Sequence, residues 1–496
     1  MAKILIIGAG VSGLSAGIYA RLQGHEAIIC ESHNISGGNL TGWNREGCHI
    51  DNCIHWLTGT NPVTETYKMW EELGALGDVE IMQSKSLFTC YHDGETLSLT
   101  NDLSKFETDM LKISPEDKKE IHSLIHAVRL VQGFSGISGE NNDRKYTTGE
   151  FLVGFPSLLM YYNISTAELS DRFKHPLLKY FISALLGESF GAIFLIFIFA
   201  HFCGKNGGIP RGSSLGMAKR MTDRFLSLGG TLKLGKEVVK INLNDSVAVS
   251  ATLSDGSEIT ADYIIITGDP KTAFGNYLSL PMPKKLEEAY HDPKLKRFSS
   301  YQCAFLIDGE NLPFVGDYIF EIPREHHQKL GASSIILREF SHEPTFAPEG
   351  KNVIQSITFM GEDAAGEFIY LKEHERNSYK EKKRELSMLT QMLIEEHFPQ
   401  FKGKIKCIDV WTPATYKHYT HTEVGSWMSF AILSKKLPTR LDNRVKGISN
   451  VILASQWLQS PGGLPIAAHG GKIAIESIDK LERTKKRRAI RQKEKV

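Results

Sequence analysis

Gly8-Ala9-Gly10-Val11-Ser12-Gly13 is the first stretch whose residue types and spacing point to chemistry. G-x-G-x-x-G suits a tight turn between a strand and a helix. The first glycine permits the turn, the second lets the backbone approach a pyrophosphate, and the third lets helix and strand pack closely. The pyrophosphate would rest on the free N–H groups of Val11, Ser12 and their neighbours, at the positive end of the helix. Glu31, followed by Ser32, comes 21 residues after Gly10. Its carboxylate is placed to accept hydrogen bonds from ribose hydroxyls. The same acid would repel a 2′-phosphate, which disfavours an NADP-type ligand at this turn.

These residues can work together only if strand, helix and strand surround them. Residues 3–7 (KILII) form a short apolar run, read as a buried parallel strand. Residues 13–23 have helical character, and 27–30 read as a second buried strand. Further along, residues 215–228 predict a helix capped by Gly229-Gly230. Strand-like pieces follow at 231–234, 238–243 and 247–253, and Asp255-Gly256 is a hairpin turn signal. Residues 261–267 and 451–454 read as two more buried strands, and 467–482 as a helix. Between these lie amphipathic helical stretches such as 115–131, a Gly/Ser/Asn-rich break at 132–148, and a charged helix around 373–397. The pattern predicts a discontinuous nucleotide-binding domain at 1–85, 206–284 and 406–482. A second domain at 86–205 and 285–405 is inserted into it, and a basic tail occupies 483–496.

Four segments carry a resemblance to the phytoene-desaturase-like branch of the flavin amine oxidase superfamily. The first is the N-terminal turn through Glu31. The second is Ser36-Gly37-Gly38-Asn39, like the family's glycine pair after the ribose acid. The third runs from Gly208-Ile209-Pro210-Arg211-Gly212 through Val238 to Ile241. The fourth is Pro461-Gly462-Gly463-Leu464-Pro465, followed by Ile466 and a small-residue helix. The resemblance implies an α/β Rossmann-like FAD-binding domain of the glutathione-reductase and amine-oxidase type, with an inserted α+β substrate domain. It implies FAD as cofactor, with Gly38, Asn39, Val238, Gly463, Leu464 and Ile466 among the residues that hold it. Asn39 stands where many members carry arginine, Ser213 departs from a second glycine, and Ser455 stands where glycine is common.

The resemblance further implies a long apolar substrate such as a polyene, isoprenoid or retinoid, with hydride transfer to or from flavin N5. Desaturation, saturation and isomerisation stay open. His55, in Cys48-His49-Ile50-Asp51-Asn52-Cys53-Ile54-His55, is the first candidate for a polar group near the flavin ring, and Trp457 the second. Amine oxidation, or a non-catalytic prenyl- or protein-binding role on the same fold, are the competing readings. No second G-x-G-x-x-G occurs, so NADH or NADPH is left open as an electron donor without a domain of its own.

Composition sets the outer limits. Hydrophobic residues make up 41% and charged residues 23% of 496, as in ordinary globular chains. A net charge of +1 gives no global attraction for nucleic acid. Seven cysteines are widely spaced without any C-x-x-C, which argues against a disulfide framework and for a reducing, cytoplasmic setting. The histidines of the Tyr416–His421 cluster lack a convincing ligand set, so no metal site is expected. Residues 190–203 are apolar but only 14 long, short of the roughly 20 needed to cross a bilayer. They predict a buried helix or the wall of an apolar pocket. Residues 480–495 hold nine Lys or Arg and two Glu, either a solvated tail or a peripheral contact with an anionic membrane.

Overall fold

The computed structural model describes residues 1–135, 137, 148–309, 311–433 and 440–493. β1 (Lys3–Ile7), α1 (Val11–Leu22) and β2 (Glu26–Cys30) form the opening unit. β1 is the centre of a five-stranded parallel sheet. β2 and Thr231–Lys233 lie on one side, and Tyr263–Ile266 and Val451–Leu453 on the other. Ile4, Leu5 and Ile6 are fully buried, because helices or strands cover both faces of the sheet. Runs of consecutive apolar residues follow from that double burial.

The last helix, Leu464–Lys493, packs along α1. Ala468 accepts from the Ser15 hydroxyl at 2.6 Å, Gly471 abuts Ser12 and Ala16, and Asp479 meets His25 at 2.9 Å. The partners climb together along both helices, so the two run parallel. A Cβ on Gly471 would lie 2.5 Å from the Ser12 carbonyl oxygen, so a larger residue would force the helices apart.

A second sheet of seven strands runs in the order Ile405–Trp411, Ser299–Asp308, Lys351–Met360, Ser334–Glu339, Asp317–Glu321, Ser86–His92, Glu95–Thr100. Asp317–Glu321 and Ser86–His92 pair in parallel and the other pairs are antiparallel. Helices Lys118–Ser135, Pro176–Ala184 and Ala192–Cys203 contribute to one apolar cluster with Ile319, Ile336 and Ile357 of the sheet.

Several sequence boundaries shift. Ile405–Trp411 is an edge strand of the second sheet, so the chain returns to the first domain after Trp411 and not at 406. Lys284–His291 packs Leu286, Ala289 and Tyr290 onto the nucleotide-binding sheet, so the crossover comes near Ser299 and not at 285. The tail expected at 483–496 continues the last helix to Lys493, because Glu482 and Lys485 both engage Tyr263. The charged helix expected around 373–397 forms as Arg376–His397, and a separate helix, Glu362–His374, precedes it. In the break at 132–148, residues 132–135 extend a helix; 136 and 138–147 lie outside the described residues.

The apolar run at 190–203 forms the helix Ala192–Cys203. Phe181 and Phe199 are fully buried and pack with Phe88 and Phe106 at ring distances of 4.8–6.5 Å. These side chains are therefore core. No helix among the described residues is long and apolar enough to cross a membrane.

Candidate functional site

Gly8 follows β1 with φ of +98°, a conformation open to glycine and costly for other residues. Gly13 lies directly under it. A Cβ there would come within 1.9 Å of the Gly8 carbonyl oxygen, so the third glycine exists for packing. Gly10 is different. A Cβ on it would meet nothing closer than 4.0 Å, at Gly37 and Gly38. The space above the N-terminus of α1 is open, and no side chain caps that helix.

The second glycine pair closes onto this turn. The Gly37 N–H donates to the Ala9 carbonyl at 2.8 Å, and Gly38 reaches the Gly10 backbone. Glu31 is 7% exposed. One of its oxygens accepts from the Ala9 N–H at 2.7 Å; the other accepts from the Ser32 hydroxyl and the His33 N–H at 3.1 and 3.0 Å. Each carboxylate oxygen has two lone pairs, so acceptor capacity remains. The Lys236 N–H donates to the Glu31 carbonyl at 2.8 Å, which brings the buried Val238 to the same end.

Gly463, with φ of +100°, precedes the last helix, and Leu464 and Ile466 occupy its first turn. Since that helix is parallel to α1, both positive helix ends face the same edge of the sheet. Asn39 and Gly463 are joined through one loop. Asn39 Nδ2 and Gln456 Nε2 donate to the Trp427 carbonyl at 3.4 and 3.3 Å, and the Gly463 N–H donates to Gln456 Oε1 at 2.8 Å. Ser426 Oγ, Trp427 Nε1, Ser429 Oγ and Ser460 Oγ are buried in this region without partners among the described residues. Orphaned polar atoms beside an open glycine cradle suit a polar, planar ligand with many acceptors. The residues fit a flavin dinucleotide. Ile466 lines a pocket of about 230 Å³ with Ser455, His469 and Arg440.

Beyond Asn39 the chain enters a buried polar joint. Asn52 Nδ2 donates to the Asn39 carbonyl, and Asn52 Oδ1 accepts from the Tyr416 hydroxyl, both at 3.1 Å. The Tyr416 oxygen in turn accepts from Gln302 and Trp411 at 2.7 and 3.1 Å. Burial pushes the Tyr416 hydroxyl far above its ordinary range, so it stays protonated. The rest of its cluster packs around His33 beside Glu31, His418 edge-on, Tyr419 tilted and His421 stacked.

The two candidate side chains separate. His55 Nδ1 lies 2.8 Å from Asp317 Oδ2, with 25% and 11% of the side chains exposed. Trp457 is 3% exposed, stacks on Tyr290 at 6.0 Å and lies edge-on to Phe430 at 5.2 Å. That packing against the nucleotide-binding sheet accounts for Trp457 as a core residue. Sequence reasoning named Asp51 only as part of the Cys48–His55 segment and did not single out Ser214, Asp317, Arg338 or Gln456. They come from distant segments, and no spacing rule connects them.

A family model described as flavin containing amine oxidoreductase matches residues 11–474. Among curated proteins, the chain is 22% identical to 4,4'-diaponeurosporene oxygenase of Staphylococcus haemolyticus, covering 97% of each chain. It is 23% identical to a lycopene-forming phytoene desaturase of a Paracoccus species, over 95% of this chain and 96% of that one. It is 22% identical to prolycopene isomerase 2 of an Oncidium hybrid, over 88% and 76%. Among solved structures, an oxidoreductase from Methanosarcina mazei shares the fold at a TM-score of 0.61 and 17% identity, covering 96% of this chain and 100% of that chain. Cyclohexylamine oxidase from Brevibacterium oxydans does so at 0.58 and 15%, covering 97% and 99%.

Proposed function

The chain belongs to the family of flavin containing amine oxidoreductases, and on that premise we propose that it is an FAD-dependent oxidoreductase acting on carbon–carbon bonds of a hydrophobic substrate, a polyene, isoprenoid or retinoid-like molecule. The observation that carries the reading is the pair of parallel helix ends at Gly10 and Gly463, tied together through Asn39, Trp427 and Gln456. A cofactor with a pyrophosphate at one end and an electron-accepting ring at the other suits two such ends. The relatives named for diaponeurosporene, phytoene and prolycopene support a carotenoid-like substrate class.

In this reading Gly8, Gly10, Val11, Ser12 and Gly13 hold the pyrophosphate. Glu31 and Ser32 take the ribose, and Val238 covers the adenosine. Gly38 and Asn39 steer the chain of the cofactor toward Gly463, Leu464 and Ile466. Bound flavin supplies a hydride acceptor or donor. The protein's part is to align the substrate carbon and keep water out. The exposed basic residues Lys485 to Arg488 and Arg491 on the last helix suit peripheral contact with an anionic membrane, where such substrates dissolve.

The test is anaerobic. Purified yellow protein is mixed with detergent-solubilised phytoene or lycopene, or with NADH or NADPH, and the visible flavin band is followed. Bleaching by a polyene is the expected result for desaturation. For saturation, the nicotinamide-bleached protein should regain its colour on adding polyene. A protein that purifies colourless and takes up no FAD overturns the reading.

A further inference from the structure

His55 and Asp317 come from different domains, and the geometry around them is specified from three directions. On the N-terminal side, Ser214 Oγ accepts from the N–H groups of Cys53 and Ile54 at 3.2 and 2.8 Å. Asp51, fully buried, accepts from the Ser214 N–H and hydroxyl at 2.8 and 2.7 Å. Arg338 reaches across from the second sheet, and its Nη2 donates to the Ile54 carbonyl. On the C-terminal side, Leu57 pairs with Gly208. The backbone of His55 is therefore clamped before and behind, and Asp317 fixes the ring.

Asp317 opens the strand Asp317–Glu321, and period-two alternation puts it on the same face as Ile319. Ile319 stands in register with Ile336, and Ile336 with Ile357. All three belong to the apolar cluster against which Trp56, the neighbour of His55, also packs. The pair thus borders an apolar layer, and His55 follows Asn52 by three residues, after the buried Asp51. An ionised carboxylate on Nδ1 fixes the tautomer that carries its proton there and leaves the Nε2 lone pair free. Nε2 has no hydrogen-bond partner among the described residues.

We propose that His55, oriented by Asp317, transfers the proton in the reaction of this site; the inference rests on the function proposed above. In desaturation one C–H bond breaks and its electron pair leaves with the hydrogen as hydride to the flavin. The C–H bond on the neighbouring carbon breaks as Nε2 takes its proton, and the electron pair left behind becomes the new π bond. The imidazolium so formed is stabilised by the Asp317 carboxylate. In saturation the Nε2 proton and the hydride are delivered to the two carbons in reverse. Asp317 acts through His55 and is a positioning residue.

The test uses the flavin-loaded protein and the variants His55→Gln and Asp317→Asn. Nitrogen-15 histidine NMR reads the tautomer independently of turnover. The His55 signal, assigned by its loss in His55→Gln, should show a protonated Nδ1 in the parent and a changed tautomer in Asp317→Asn. Both variants should keep their flavin content and unfolding midpoint. The rate of transfer with saturating phytoene or lycopene should fall by about 10²- to 10⁴-fold in His55→Gln, with KM little changed. If the parent protein reacts with polyenes and His55→Gln reacts as fast, the proton-transfer role is overturned and the proposed function stands. If both variants lower the unfolding midpoint without slowing the reaction, the pair is only a tie between domains, and the proposal fails. If the parent exchanges no hydride with any polyene, both readings fall together. An unchanged tautomer in Asp317→Asn overturns the positioning role of Asp317.

Discussion

Arg338 and Asp51 face each other at 3.5 Å across the joint between the two domains, with 3% and 0% of their side chains exposed. Two charges this deeply buried are tolerable only because each is further satisfied, Asp51 by Ser214 and Cys53 and Arg338 by the Ile54 carbonyl and the Phe340 ring. Removing one partner leaves the other charge buried and unpaired. Arg338→Met should cost about 3–5 kcal/mol, read as a fall in the urea unfolding midpoint. A double-mutant cycle with Asp51→Asn should give a coupling of at least about 1 kcal/mol.

Gly10 and Gly13 should respond differently to alanine. Gly13→Ala drives a Cβ into the Gly8 carbonyl and should lower folded yield. Gly10→Ala has room in the protein itself and should fold normally. Its methyl would occupy the space needed by a pyrophosphate, weakening flavin binding by at least tenfold, about 1.4 kcal/mol. The ratio of visible flavin to protein absorbance separates the two outcomes.

Trp457→Phe should leave flavin content and reduction rate unchanged, since its ring packs on Tyr290 and Phe430. Trp457→Ala should destabilise by about 3–5 kcal/mol. A large rate loss in the phenylalanine variant at full flavin content would return Trp457 to the list of reacting groups.

His201 sets part of the acid sensitivity. Burial lowers its pKa to about 4, and its Nδ1 accepts from Asn206 at 2.8 Å, which requires the neutral ring. The unfolded value is about 6.5. Between these values the unfolded chain binds a proton that the folded chain refuses. The contribution is therefore complete above about pH 6.5 and is lost as pH falls toward 4, by up to about 1.4 kcal/mol per unit. His201→Gln should give a shallower fall of unfolding free energy across that window.

The basic end of the last helix can be tested without disturbing the fold if the cut follows Lys485, which keeps the contacts to Tyr263. Deleting 486–496 should reduce flotation with phosphatidylserine vesicles and leave thermal stability unchanged. Equal flotation would remove the membrane contact.

The nucleotide turn was legible because its chemistry is local. Gly8, Gly10 and Gly13 answer to one strand–turn–helix unit, and Glu31 closes it one strand later. The second glycine pair and the Pro461–Pro465 segment were legible by resemblance for the same reason, each being a short backbone device. Boundaries were read less well. The register of Ile405–Trp411 with Ser299–Asp308 is a long-range choice that an alternating strand does not reveal. The continuation of the last helix to Lys493 depends on Tyr263, more than 200 residues away.

By itself, then, the sequence determined the nucleotide-binding fold and its glycine turns, because turns, helix starts and buried parallel strands depend on neighbours a few residues apart. Only the tertiary structure decided which distant side chains meet. It put Trp457 in the core, gave His55 a carboxylate from another domain, and buried Asp51 against Arg338. Those pairings are set by how two sheets pack, and a partner 262 or 287 residues distant leaves no periodic mark on the chain.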